Sequence, residues 1–278
     1  MNKILILGAS GFLGKSLVGF FLANNFRVGA LSRTFDQKND KLDAYAVNIL
    51  DYESLEPIIA QYDIIINCTG QITDPIHNCI ILNTKGVQNI IDAVKKNKNY
   101  LIHLSTVSVY GSSSGVSEKS TINPESVYGS IKYFAEYQIS HHLTNYVILR
   151  VSNLYGKGQS KGALGYILRT FRNNQIDLFF NNDGSLKRYY LHIDDLTSII
   201  NIVLEKKLKG VFNIAGNEYL TIKQLISLCE RVLEYSFNVR YASIDPLENI
   251  EYIDKSKFKK QINYLLQNNI EMYLKEIN

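Results

Sequence analysis

Residues 3–14 read Lys3-Ile-Leu-Ile-Leu-Gly8-Ala-Ser10-Gly11-Phe12-Leu13-Gly14, and the fold follows from them. The apolar run ending at Leu7 is long enough for one buried strand, and a helical pattern opens by Gly11. Three glycines spaced G-x-x-G-x-x-G straddle that corner. Gly8 allows a turn too tight for a Cβ, Gly11 lets a pyrophosphate approach the backbone, and Gly14 lets helix pack closely on strand. Amide groups and the positive dipole end of the helix then face the phosphates. A glycine triplet alone also fits an ordinary turn; following a strand and opening a helix, it predicts a dinucleotide cradle with Ser10, Phe12 and Leu13 as further contacts.

The bulk properties are those of a water-soluble globular chain. Of 278 residues, 46% are hydrophobic and 20% charged. That length accommodates one large α/β domain, or a domain with a smaller lobe. The net charge of +4 is modest, and its densest lysine runs, at 95–98 and 255–260, read as helix ends or solvated faces. No nucleic-acid partner is expected, while a mild positive bias suits an anionic cofactor and substrate. Cys68, Cys79 and Cys229 are dispersed and odd in number, which argues for a reducing compartment and against a disulfide framework or a metal site. The Asn67-Cys68-Thr69 sequon ends an apolar strand and reads as accidental. The chain enters a strand within two residues of Met1 and has no apolar run of membrane-spanning length, so a cytoplasmic location without membrane attachment is expected.

Strand and helix patterns alternate from residue 3 to about 156. Strands are expected at 26–31, 43–49, 63–67, 100–105 and 146–151. Amphipathic helices follow Gly14 and Asp51 (a predicted N-cap) and cover 82–94. This alternation predicts an α/β fold, a doubly wound parallel sheet, in a dinucleotide-binding domain over 1–156. From 157 to 278 the pattern loosens into a smaller substrate lobe, with elements around 186–216 joining the first domain. Helices are expected at 163–171, at 193–204 with Asp194 or Asp195 near its start, from a Thr221 cap to 233, and near 268–276; a hairpin-like stretch is expected around 181–184.

The end of the second strand meets the adenosine ribose in such a sheet. An acidic residue there accepts from both ribose hydroxyls, whereas an arginine pairs with a 2′-phosphate. Ser32 and Arg33 stand at this corner, with no acid until Asp36, which favours NADP over NAD.

Tyr128-Gly-Ser-Ile-Lys132 opens a helix after an irregular Ser- and Gly-rich loop. A tyrosine and a lysine four apart share one helix face, and an adjacent ammonium stabilises a phenolate. Ser105-Thr106 closes the fifth strand, at the sheet edge where open α/β folds place ligands. Thr106 can hold a carbonyl oxygen while Tyr128 exchanges a proton with it. Together with the glycine turn these residues describe hydride transfer at a carbonyl, Lys132 holding the nicotinamide ribose.

At this level the chain resembles the extended short-chain dehydrogenase/reductases, in their branch of nucleotide-sugar epimerases, dehydratases and 4-keto reductases. Further motifs carry the resemblance: Asn83-Thr-Lys-Gly86-Val-Gln-Asn89, Arg150-Val-Ser-Asn153-Leu-Tyr155-Gly156, and Gly184 through Arg188-Tyr-Tyr-Leu-His192-Ile-Asp194-Asp195. The resemblance implies a Rossmann-type fold, with Asn83 bracing the active-site strand. It implies that Asn153 and Arg188 contact the substrate's diphosphate and nucleotide, and that Asn48, Ile49, Thr69 and Gly70 contact the cofactor. Asp195 is structural in that motif. A homodimer is also implied, packed through the helices around 82–95 and 128–142.

Three departures stand out. Asn48 replaces an aspartate that meets the adenine amino group, Tyr189 replaces an aspartate after the arginine, and Val107-Ser108 replaces the acidic pair of the 4,6-dehydratases. An apolar Val107 cannot act as a general acid, so dehydration is disfavoured. The Arg33 corner and the short substrate lobe favour an NADPH-dependent reductase of a nucleotide-linked 4-keto-6-deoxy sugar. The alternatives are an NAD-dependent nucleotide-sugar 4-epimerase and, from another class, a non-catalytic NADP-binding sensor or scaffold.

Overall fold

The computed structural model describes residues 3–34, 40–70, 75–243 and 248–277. The first half runs β1 (Lys3–Leu7), α1 (Phe12–Ala23), β2 (Arg27–Ser32), β3 (Leu42–Ala46), α2 (Tyr52–Ile59), β4 (Ile64–Asn67), α3 (Ile76–Ile81), α4 (Val87–Asn97), β5 (Tyr100–Thr106), α5 (Val127–His142) and β6 (Tyr146–Val151). The second runs β7 (Asn153–Tyr155), α6 (Gly162–Arg172), β8 (Asp177–Phe180), β9 (Lys187–His192), α7 (Ile193–Glu205), β10 (Gly210–Ile214), β11 (Glu218–Thr221), α8 (Ile222–Leu233), β12 (Asn238–Tyr241), α9 (Ser256–Gln261) and α10 (Ile270–Ile277).

Seven strands form one sheet in the order β10-β6-β5-β4-β1-β2-β3, every neighbouring pair parallel. Strand alternation sorts its side chains between two cores. Ile4 and Ile6 face α1, α7 and α9, while Leu5 and Leu7 face α2, α4 and α5. Both faces are covered, so the central strands are mostly apolar, and each buried Leu or Ile contributes roughly 1.5–3 kcal/mol. Chain order reverses between β1 and β4, which opens a crevice at their carboxyl ends. The smaller sheets, β11-β9-β7 and β12-β8, pack with α6, α8 and α10 around a separate apolar cluster.

Local chemistry explains several boundaries. Asp51 caps α2 by accepting from the Ser54 N–H, and Thr221 and Gln224 close a reciprocal capping box on α8. The Asp195 carboxylate accepts from Tyr264 Oη–H and from the Gln267 and Asn268 N–H groups, so it pins the segment leading into α10.

Two expectations need correction. The stretch around 181–184 is no hairpin: β8 pairs with β12, and β9 with β11 and β7, because each flanking strand finds apolar cover elsewhere. The predicted helix over 82–94 starts earlier, at Ile76, and carries a π-type turn over Leu82–Gly86. Asn83 Nδ2 donates back to the Cys79 carbonyl at 2.9 Å, and Thr84 Oγ1 to the Ile80 carbonyl at 2.8 Å. These side-chain bonds accompany the extra residue in the turn.

A buried ion pair fastens α5 to the sheet. Arg150 on β6 meets Glu136 with Nη2–Oε2 at 2.6 Å, and neither residue is more than 4% exposed. Ser105 also donates to Glu136, and Arg150 Nη1 donates to Tyr110 Oη at 2.8 Å. Removing one partner strands the other charge in an apolar interior. Glu136→Ala is expected to destabilise the protein by about 3–5 kcal/mol in chemical denaturation, more than truncation of an exposed glutamate such as Glu53.

Candidate functional site

The crevice is a continuous groove of about 1000 Å³ lined from Ser32 and Arg33, past the glycine turn, to Thr106 and Tyr128, and on to Asn153, Arg188 and Glu248. Every cofactor, catalytic and substrate residue expected from the sequence lines it except Lys132, which lies buried beneath.

The glycine turn is fixed by close approach. Gly8 has φ +83°, and its N–H and that of Ala9 donate to the Leu31 carbonyl on β2. A Cβ on Gly14 would fall 2.2 Å from the Gly8 carbonyl oxygen, so α1 can rest on the strand only with glycine there. The N-cap of α1 is Gly11, with no side-chain cap and no acidic residue in the first turn. The helix therefore presents its first amides and dipole to the groove, a cradle that fits a pyrophosphate.

At the adenosine end, Ser32 is buried and its hydroxyl donates to the Thr34 carbonyl at 2.8 Å, while Arg33 is exposed along the groove. Asp36 lies outside the described residues. Asn48 Oδ1 accepts the Leu50 N–H at 3.1 Å, which leaves one lone pair for an adenine amino group. Behind it Ile49 is buried. Asn89 Nδ2 donates to its carbonyl at 2.9 Å, and a Cβ on Gly86 would meet its Cδ1 at 2.6 Å. The Asn83-x-x-Gly86-x-x-Asn89 spacing thus holds the floor of the adenine end through its last two members.

Its first member does something else. Asn83 Nδ2 donates to the Gly70 carbonyl at 3.0 Å, and Asn83 Oδ1 accepts from Lys132 Nζ at 3.2 Å. Asn83 therefore braces the turn after β4 and the lysine on α5; among the described residues its side-chain partners are Gly70, Cys79 and Lys132, not the active-site strand β5.

Thr106 ends β5, and its Oγ1 accepts the Ser108 N–H at 3.1 Å, which leaves the hydroxyl proton to donate into the groove. Ser126 caps α5 by accepting the Gly129 N–H at 3.0 Å. Gly129 sits so near the Ser108 carbonyl that a Cβ would fall 2.7 Å from it. That contact brings Tyr128 to the groove beside Thr106, with Lys132 one turn further along the helix. Lys132 is wholly buried, and burial pulls its pKa down to about 8. Tyr128 behaves otherwise than the sequence suggested. Burial, with smaller contributions from Cys79 and Glu248, raises its pKa and favours the neutral phenol.

At the far mouth Asn153 Nδ2 donates to the Tyr189 carbonyl at 3.5 Å. The Arg188 guanidinium donates to the carbonyls of Lys187 and Glu248 at 3.0 and 2.9 Å, and burial lowers its pKa. Tyr189, in place of an aspartate, stacks on Tyr219 with centroids 4.5 Å apart and donates to the Glu251 carbonyl. Sequence reasoning missed Glu248, which accepts from Ser126 across 122 positions and carries no local signal. It also missed His103, a polar residue in the otherwise apolar run Tyr100–Leu104, where the signal was present. Among the described residues no group of three or more His, Cys, Asp or Glu side chains is arranged to hold a metal, and no helix is long and apolar enough to cross a membrane.

Comparison with known proteins places the chain. It is 27% identical over 256 residues, covering 84% of this chain and 83% of the other, to a Methanocaldococcus jannaschii protein provisionally designated UDP-glucose 4-epimerase. It is 25% identical over 233 residues, covering 79% and 69%, to methionine adenosyltransferase 2 subunit beta of Bos taurus. The structure of UDP-glucuronic acid 4-epimerase from Bacillus cereus, in complex with UDP-glucuronic acid and NAD, has the same fold, with TM-score 0.87 over 98% of this chain and 96% of that one at 24% identity. The family model for the NAD dependent epimerase/dehydratase family matches residues 4–215, from β1 to the end of the parallel sheet, and the chain belongs to that family.

Proposed function

We propose that the protein is a nicotinamide-dependent nucleotide-sugar oxidoreductase working at carbon four of the sugar, and that its reaction is 4-epimerisation. The observation that carries this reading is the placement of Thr106 and Tyr128 between a dinucleotide cradle and a mouth lined by Asn153 and Arg188. The Methanocaldococcus jannaschii relative, provisionally designated a 4-epimerase, favours epimerisation over net reduction. A nicotinamide dinucleotide held at the Gly8–Gly14 turn would supply reversible hydride acceptance at carbon four. Tyr128, once ionised, removes the hydroxyl proton in the first half of the reaction and gives it back in the second. Thr106 donates to the oxygen throughout and fixes carbon four against the ring. Lys132, when charged, supports the phenolate through one helical turn. Arg188 and Asn153 hold the diphosphate end.

A second reading rests on Ser32 and Arg33. An exposed arginine with no acid among the described residues at the end of β2 suits a 2′-phosphate, and thus an exchangeable NADPH that reduces a 4-keto-6-deoxy sugar.

We also propose a homodimer. Val127, Tyr133, Phe134 and Tyr137 on α5 and Ile80 and Ile81 beside them are exposed large apolar residues on adjoining helices, a patch suited to a two-fold contact.

Four outcomes test these proposals. Incubation with UDP-, GDP-, CDP- and dTDP-hexoses is expected to interconvert 4-epimers without added reductant, and Tyr128→Phe to lower kcat by about 10²–10⁴-fold. Sugar-dependent NADPH oxidation would move the assignment to the reductase, and bound cofactor with no turnover on any sugar would favour a sensor. The kcat/KM profile is expected to fall above about pH 8, because Lys132 is cationic only below its lowered pKa and loses its hold on the phenolate above it. Phe134→Glu is expected to convert the dimer to a monomer in analytical ultracentrifugation.

A further inference from the structure

Beneath the groove Asn67, at the end of β4, lies opposite His103 on β5 in the parallel register. Both are buried, His103 completely, and the proposed reaction uses neither. The hydrogen bonds here have a forced direction. The Thr69 backbone N–H lies 3.0 Å from Asn67 Oδ1, with the Thr69 hydroxyl at 2.6 Å. A backbone N–H can only donate, so the amide oxygen of Asn67 must point at Thr69 and its NH2 at His103. Asn67 Nδ2 is 3.1 Å from His103 Nδ1. That NH2 can only donate, so Nδ1 accepts and holds no proton. A neutral imidazole with a bare Nδ1 carries its proton on Nε2. Nε2 is 3.4 Å from Lys132 Nζ. On the other side Asn83 Oδ1 takes a hydrogen bond from Nζ at 3.2 Å, its own NH2 being committed to the Gly70 and Cys79 carbonyls.

We propose that His103 is a positioning residue: locked by Thr69 and Asn67 as the Nε2–H tautomer, it donates to Lys132 Nζ when the lysine is a neutral amine and so disfavours its ammonium form. An ammonium has no lone pair. A third proton on Lys132 therefore sets two N–H groups against each other across the same short gap. Lys132 also faces Cys68 after β4, Cys79 on α3 and Glu136 on its own helix. Burial raises the pKa of both thiols, and Glu136 is already paired with Arg150. The lowered pKa of Lys132 and the strongly lowered pKa of His103 agree with this arrangement. His103 is also closed as a proton relay, since Nε2 already bears a proton and Nδ1 faces an NH2. The proton that Tyr128 exchanges with a substrate is therefore not drained through the sheet.

The tautomer stands on geometry alone; its catalytic consequence rests on the reading of Tyr128 and Lys132 as the reacting pair. Long-range ¹H–¹⁵N correlation on the intact protein labelled with ¹⁵N-histidine tests the first. His103, identified by the resonance lost in His103→Gln, is expected as neutral Nε2–H on both sides of neutrality; an Nδ1–H tautomer or an imidazolium would overturn the proposal. His103→Leu removes the N–H without adding charge. Asn67→Asp puts an acceptor on Nδ1 and turns Nε2 into an acceptor for Lys132. Both are expected to move the alkaline limb of kcat/KM upward, by about one pH unit. A limb that stays in place while the Asn67→Asp tautomer flips refutes the positioning role. An inert wild-type enzyme with the expected tautomer refutes the assigned reaction instead.

Discussion

The buried pairing of Glu136 with Arg150 is the contact on which the site depends. Two opposite charges in an apolar interior hold only in good geometry, and here the carboxylate also takes a bond from Ser105 while the guanidinium donates to Tyr110. The pair thereby joins β5, β6 and α5 at one point. Lys132 and Tyr128 lie one and two turns nearer the start of the same helix, so the clamp that orders the interior also sets their height above the sheet.

The other end of α5 is set by absence of bulk. Gly129 lets the helix start against the turn after β5, as Gly14 lets α1 start against β1. Two helices thus meet the crevice at backbone distance, α1 with its uncapped first amides and α5 with the Tyr128 phenol. Between them runs the hydrogen-bonded layer of Thr69, Asn67, His103, Lys132 and Asn83, laid across β4, β5 and the π-type turn. Burial raises the pKa of Tyr128 and lowers that of Lys132, so both are driven toward their neutral forms.

Departures from the family pattern fall where the structure has found other partners. Tyr189 stacks on Tyr219 and closes the lobe with a ring where an acid would have paired with the arginine. Asn48 spends one lone pair on its own turn. Val107 is buried in a satellite apolar cluster with Val109, Tyr110 and Ile253, so its identity serves packing.

Much of this was legible in the chain itself. Apolar strands of period two, capped helices and glycines at a strand–helix corner determine the parallel sheet, because each is a local consequence of backbone sterics and burial. The residue types at Gly8, Gly14, Thr106, Tyr128 and Lys132 likewise announce a dinucleotide and a proton exchange. What the sequence could not hold is set by contacts between distant residues. Periodicity predicts an unbroken helix where Asn83 turns to Lys132, since a π-type turn leaves the apolar pattern nearly intact. Glu248 meets Ser126 only because the chain returns across the groove. The tautomer of His103 follows from one backbone N–H at Thr69, and the direction of a hydrogen bond exists only once donor and acceptor have been brought face to face. Sequence alone determined the glycine turn and singled out Thr106, Tyr128 and Lys132 as candidates; the tertiary structure decided where their protons are favoured, because burial and partner order, and not residue type, govern where a proton sits.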